Sequence, residues 1–169
     1  GSIKHQKYNL CFCQYCSLFY WWPMKLDVRY YEEEQESYTP GHLGEGKIQM
    51  WHAPFFKIFP PQSGRLLDVG CGDGAFLEKT REMGFTVTGI DLDNKSIQMA
   101  KEKRGIQDVS VTLLDDFIAQ NESRLHEYDV VTFFEVLEHQ DDPGHFIQDV
   151  AKVLSPGGMV AGSVPNRER

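Results

Sequence analysis

The stretch Leu66-Leu67-Asp68-Val69-Gly70-Cys71-Gly72-Asp73-Gly74-Ala75-Phe76 constrains the fold more than any other part of the chain. An apolar run long enough for a buried parallel strand stops at three alternating glycines, and an apolar-periodic segment, Phe76 to Met83, follows directly. This pattern predicts a strand, a tight turn and a helix. Glycines let the backbone take positive φ and let a ligand approach the main chain, while the helix start offers unpaired N–H groups. The turn therefore reads as a ligand cradle.

The spacing Gly70-x-Gly72-x-x-Ala75 fits the dinucleotide fingerprint, a short pattern that recurs by chance and leaves a nicotinamide-dependent oxidoreductase open. Charge discriminates further. Asp68 precedes the glycines, Asp73 lies inside the loop, and no Lys or Arg occurs between Leu66 and Glu78. A pyrophosphate would face carboxylates there, whereas a ligand carrying an ammonium and a sulfonium would be attracted.

Asp68-Val69-Gly70-Cys71-Gly72-Asp73-Gly74 resembles the first motif of class I S-adenosylmethionine-dependent methyltransferases, and three later segments follow in that family's order. Thr86 to Asp91 resembles a second strand ending in an acid, whose carboxylate can accept both ribose hydroxyls. Val109 to Asp115-Asp116 resembles a third strand ending in acids beside the adenine. Tyr128 to His139 is similar to the fourth strand and the Glu-Val-Leu-Glu-His segment of small-molecule members, such as those of quinone biosynthesis. The resemblance covers roughly residues 40 to 169. It implies S-adenosylmethionine as cofactor, held by Asp68, Gly70, Cys71, Gly72, Asp73, Gly74, Asp91, Leu92, Asp115, Asp116, Phe117 and Glu135. Family members usually continue past the fifth strand with a helix and an antiparallel strand pair, so the chain is expected to be truncated with its last strands missing.

The expected fold class is α/β, a Rossmann-like doubly wound and mostly parallel sheet with a small Cys- and aromatic-rich appendage. Asp93 or Asn94 caps a helix running to Arg104, with Gly105 as its stop. Asp142-Pro143 opens another helix, with Phe146, Ile147, Val150, Val153 and Leu154 on one face. Pro156-Gly157-Gly158 ends it, and Met159 to Val164 is the fifth strand. The parts divide into residues 1–24, a Cys/aromatic segment; 25–62, a helical lead-in; and 63–169, the cofactor-binding core. In the lead-in, Glu32-Glu33-Glu34 and Glu36 read as a solvated helix face. Lys47 to Phe59 reads as a helix kinked at Pro54, with Trp51 in the core. The resemblance, in which such a helix lies over the cofactor, makes Tyr38, His42 and, alternatively, Trp51 candidate site-lining residues.

Within 1–24, Cys13-Gln14-Tyr15-Cys16 has the spacing of half a tetrahedral zinc site, so Cys13 and Cys16 are candidate metal ligands, with a ribbon's other Cys pair expected before residue 1. The competing reading is a β-hairpin with free thiols among exposed aromatics. Gly1-Ser2 has the form of a cleaved tag scar. Leu10 to Met24 is broken by Gln14 and Ser17 and falls short of the ~20 residues of a membrane span. The four cysteines, three crowded at 11, 13 and 16, do not make a secreted disulfide set and favour a reducing cytoplasm. A formal net charge of -8 disfavours nucleic acid as partner, and the oligomeric state is not legible.

Methyl transfer from a sulfonium needs alignment more than a dedicated nucleophile. A base helps where the acceptor must lose a proton, and His139, after the fourth strand, is the candidate, with Glu138 to orient it. The alternative is a histidine that caps or packs the following helix. The Asn-Pro-Pro-aromatic motif of many amino-group methyltransferases is absent after this strand, which argues against DNA adenine or protein glutamine as target; the expected acceptor is oxygen or carbon of a small metabolite. Cys71 has no neighbouring base in sequence and reads as structural. A non-catalytic binding or scaffold module stays open.

Overall fold

The structure, a computed structural model, describes residues 9–15, 19–23, 48–59 and 63–165. The expectations for Tyr38, His42, Cys16 and the acidic run at 32–36 fall outside these residues. Two short strands, β1 (Asn9–Phe12) and β2 (Phe19–Trp22), pair antiparallel. The Phe12 and Phe19 rings lie 4.6 Å apart, and Phe12, Phe19 and Trp22 are exposed.

The core is one five-stranded parallel sheet. Its strands are β3 (Gly64–Val69), β4 (Phe85–Asp91), β5 (Val109–Val111), β6 (Tyr128–Phe134) and β7 (Leu154–Ser163), in spatial order β5-β4-β3-β6-β7. The chain steps outward from β3 to β5 and then returns across β3 to lay down β6. That reversal makes the carboxyl ends of β3 and β6 a topological switch point, where open α/β sheets take their ligands.

Strand alternation sorts the core into two layers. Leu66 and Val130 face one side with Phe76, Leu77, Ile97 and Ala100 of helices α2 (Ala75–Glu82) and α3 (Asn94–Arg104), beneath Phe55 and Phe59. Leu67, Val131 and Phe133 face the other side, against Leu114 and Phe117 of α4 (Leu114–Gln120) and Phe146, Val150 and Val153 of α5 (Pro143–Val153). Leu66, Leu67, Val130 and Val131 are fully buried, and each such side chain contributes on the order of 2 kcal/mol.

The helix ends follow local chemistry. Asp93 caps α3 by accepting from Lys95 N, and Gly105 closes it in the left-handed region at φ 64. Asp142 caps α5 by accepting from His145 N.

Five expectations are corrected. Pro54 does not kink a long helix: a 3-10 turn (Met50–His52) leads into the short helix α1 (Ala53–Ile58), and Pro54 sits in its first turn, where a missing N–H costs nothing. Trp51 is 36% exposed rather than in the core, which Phe55 and Phe59 fill instead. The third strand is only three residues long, and Asp115 and Asp116 lie in the first turn of α4, where the helix dipole favours acids. The fifth strand begins directly after α5 and takes in Pro156-Gly157-Gly158, with a register shift between Tyr128 and Val130 of its neighbour. In α5, Ile147 is exposed and Asp149 takes a buried place.

Candidate functional site

The glycine turn is hung from the neighbouring strand. Gly70 N and Cys71 N both donate to Ile90 O of β4, at 2.8 and 3.0 Å, and Gly74 N returns to Cys71 O at 3.0 Å. Gly70 has φ 78, and a Cβ there would come 2.5 Å from Val136 Cγ2, so this position needs glycine for both conformation and space. Gly72 has φ 52 and nothing within 4 Å of an added Cβ; the space beside it is open to a ligand.

Two acids stand under and beside this turn. Asp68, at the end of β3, is 3% exposed and accepts from Thr132 Oγ1 at 2.6 Å, an alignment set by the β3–β6 register that pairs the two residues. Burial pushes its carboxyl up to about 7, and the neighbouring Asp91 adds to the rise. Asp91, at the end of β4, accepts from Gly72 N through Oδ2 and from Asp93 N through Oδ1, both at 2.8 Å. Burial raises its pKa too, against these hydrogen bonds.

Asp73 takes a different place from the one its loop position suggests. Arg104, at the end of α3, donates to Asp73 Oδ2 at 2.8 Å, to Asp73 O at 2.6 Å and to Glu78 Oε2 at 2.6 Å. Asp73 Oδ1 accepts from Ala75 N at 3.1 Å. Asp73 is thus paired with a guanidinium, whereas the donors to Asp68 and Asp91 are a hydroxyl and backbone N–H groups, so these two acids set the field beside the cradle. Cys71 is buried, and burial with Asp91 and Asp68 nearby pushes its thiol well above the usual range, which keeps it protonated and unreactive.

Across the switch point, β6 is followed by Glu135 at φ 56, a left-handed conformation rare for a residue with a side chain. Its N–H donates to Ser163 O at 3.0 Å, and Ser163 Oγ donates to Glu135 Oε1 at 2.7 Å. A 3-10 turn, Leu137–His139, follows. Thus the glycine turn, Asp68, Asp91, Glu135 and His139 all lie at the carboxyl ends of the strands.

The family model described as a methyltransferase domain matches residues 42–169. The chain belongs to the methyltransferase domain family. A ubiquinone biosynthesis O-methyltransferase of Caulobacter sp. is 36% identical over 112 residues, 64% of this chain and 43% of that protein. One from Vibrio cholerae is 39% identical over 104 residues, 61% of this chain and 42% of that protein. The chain thus spans less than half the length of these curated relatives. An S-adenosylmethionine dependent methyltransferase structure from Mesorhizobium loti, 24% identical, shares the fold with a TM-score of 0.57 over 68% of this chain and 52% of that one. The sheet order and flanking helices are those of the Rossmann-like class I methyltransferase fold.

Against the methyltransferase motifs, the structure gathers most of the expected positions on one edge, with differences of depth. Leu92 is half-buried beside Asp91, whereas Asp115 and Asp116 are exposed on α4. The Phe117 ring is packed in the second core layer at 4% exposure, beneath the edge rather than open at it. His139 is exposed, and its Nε2 lies 3.9 Å from Glu138 Oε1, beyond hydrogen-bonding range. Burial, with Glu135 nearby, raises the Glu138 carboxyl. The cap of α5 is Asp142, not His139.

Three residues escaped the sequence reading. Thr132 was detectable as a polar break in the run Val130 to Phe134. Arg104 reaches Asp73 only through tertiary packing and carries no local signal. His52 hides in an aromatic segment that reads as core.

Cys13 lies in the hairpin turn, and its partner in the zinc reading, Cys16, is not among the described residues. Among those described, no group of three or more His, Cys, Asp or Glu is placed to hold a metal ion, and no helix is long and apolar enough to cross a membrane.

Proposed function

We propose that this chain is the cofactor-binding part of an enzyme that transfers a methyl group from S-adenosylmethionine to an oxygen of a small metabolite. The observation that carries the reading is the glycine turn closed on Asp91, with Asp68 buried beneath it and open space beside Gly72. A zwitterionic, sulfonium-bearing nucleoside suits that field, and a pyrophosphate does not. When bound, the cofactor supplies an activated methyl group.

Asp91 would accept the ribose hydroxyls, with Leu92 alongside. The main chain of Gly70 to Gly74, including Cys71 and the clamped Asp73, would line the amino-acid end above Asp68. Asp115, Asp116 and Phe117 would border the base, and Glu135 would close the side facing β6. His139 would take the proton from the acceptor hydroxyl, its exposure leaving the ring accessible to a second ligand.

Oxygen is favoured over carbon because the relatives are O-methyltransferases of ubiquinone biosynthesis. The acidic balance and cysteine pattern support a small-molecule acceptor, not nucleic acid, and a reducing cytoplasm. Zinc at Cys13 and Cys16 rests on their spacing alone; elemental analysis of purified protein tests it.

The deciding experiment is a calorimetric titration with S-adenosylhomocysteine beside NAD. Binding of the first and not the second is expected; the reverse would replace the methyltransferase reading with an oxidoreductase.

A further inference from the structure

The 3-10 turn before α1 brings His52 against both halves of the switch point. Its ring centroid lies 4.9 Å from Phe76, in the first turn of the helix after the glycine loop, and 4.7 Å from Phe134, the last residue of β6 before Glu135. The contact with Phe134 is edge-on, at 75°. Phe134 follows Thr132 on the same face of β6, one side-chain repeat or about 7 Å along the strand. Thr132 is the residue bonded to Asp68.

The ring is also fixed in rotation and tautomer. Gln49 N donates to His52 Nδ1 at 3.3 Å, as part of a reciprocal cap between Gln49 and His52. Burial lowers the imidazole pKa to about 4, so the ring is neutral at physiological pH. With Nδ1 accepting, the proton of the neutral ring resides on Nε2. His52 is therefore a donor at Nε2 and is not set up as a base.

Such a donor answers a need of this edge. Asp68, Asp91, Glu135 and Glu138 all lie there, and Arg104 is occupied by Asp73 and Glu78. An α-amino acid carries an ammonium that these acids suit and a carboxylate that they repel. We propose that His52 presents Nε2–H to the carboxylate of the cofactor's amino-acid end, a positioning contact made beside Asp68. The inference rests on the proposed function and adds a named ligand contact from outside the recognised motifs.

Two nucleosides separate this role from packing. S-adenosylhomocysteine carries the amino-acid end, and 5′-methylthioadenosine lacks it. His52→Phe keeps an aromatic ring between Phe76 and Phe134 but removes the donor. It should weaken S-adenosylhomocysteine by about tenfold or more, the worth of a hydrogen bond to a charged group, and leave 5′-methylthioadenosine unchanged. His52→Gln, which restores an N–H donor, should recover most of the loss.

Equal weakening of both ligands, or of neither, in folded variants overturns the inference alone. A wild-type chain that binds neither nucleoside overturns the proposed function and this inference with it. Ring ¹⁵N spectra of the wild type serve if the variants do not fold. The His52 Nε2 resonance should move with S-adenosylhomocysteine and stay with 5′-methylthioadenosine, and no movement with either overturns the contact.

Discussion

At the glycine turn, Asp68, Asp73 and Asp91 are tied to named donors, from Thr132, Arg104, Gly72 and Asp93, within 2.6 to 2.8 Å. On the far side of the switch point, Glu135 is held by Ser163 in a strained backbone, while His139 is exposed and stands 3.9 Å from Glu138. In the first region the acids are held in place by short hydrogen bonds; in the second the histidine is exposed. That difference matches a division of labour in which one side holds a constant ligand and the other meets a variable one. It also predicts that substitutions in the first region act on affinity and stability, and those in the second on rate.

The largest expected effect tests the open side. In a protein spanning the full length of the relatives, His139→Gln should leave S-adenosylhomocysteine affinity unchanged and slow turnover by about 10²–10⁴-fold, the usual worth of a general base. Single-turnover rates and melting temperature measured on one preparation decide it. A fully active but less stable variant would make His139 structural and erase the contrast.

On the ordered side, Arg104→Gln should cost about 3 kcal/mol in folding free energy, because it breaks a buried pair and strands Asp73. The side chains of Arg104 and Asp73 are 11% and 8% exposed, so solvent screening does little to soften this. Urea unfolding of Arg104→Gln, Asp73→Asn and the double variant measures it. The double variant should cost clearly less than the two singles together. Additive costs would mean that Arg104 acts through Glu78 instead.

How far the sequence reaches follows the same boundary. Features written in local chemistry were legible: the strand, turn and helix around Gly70, the Asp93 and Asp142 caps, the Gly105 stop and the strand ending in Asp91. What depended on residues distant in sequence was not. Asp73 looked ligand-facing because no cation is near it in the chain, yet Arg104 reaches it across the space between α2 and α3. Asp115 and Asp116 looked like a strand end, because an apolar run before acids has the same pattern whether β5 continues or α4 begins. Trp51 and Phe55 share a helical spacing, and only the short α1 and its 3-10 lead-in turn one outward and the other inward.

Asp91→Ala should weaken S-adenosylhomocysteine by roughly 1–3 kcal/mol through loss of a charged acceptor for the ribose. Because Asp91 also accepts from Gly72 N and Asp93 N, part of the loss will be in the shape of the turn. Comparing the ribonucleoside with its 2′-deoxy analogue isolates the hydroxyl contact. The wild type should discriminate between them and the variant should not, and discrimination that survives the substitution removes the ribose assignment.

The smallest effect is the most specific to the glycine-turn side, and it is a dependence on pH. The Asp68 carboxyl titrates near 7 in the folded chain, because burial and Asp91 disfavour its charge. In the unfolded chain it titrates near ~4. Between those values the folded protein holds a proton that the unfolded chain has lost, so this group's contribution to stability falls as pH rises through that window. Ligand binding runs the opposite way. An ammonium placed beside Asp68 favours the carboxylate, so binding expels the proton, and affinity should rise with pH up to about 7 and then level off. The slope can reach about tenfold, or 1.4 kcal/mol, per pH unit. Asp68→Asn cannot ionise and should flatten the profile. Titrations with S-adenosylhomocysteine from pH 5.5 to 8 test this, since its amino group stays protonated over most of that range. A slope that persists in Asp68→Asn would assign the proton to Asp91, whose carboxyl is raised for the same reason, and would move the ammonium contact from β3 to β4.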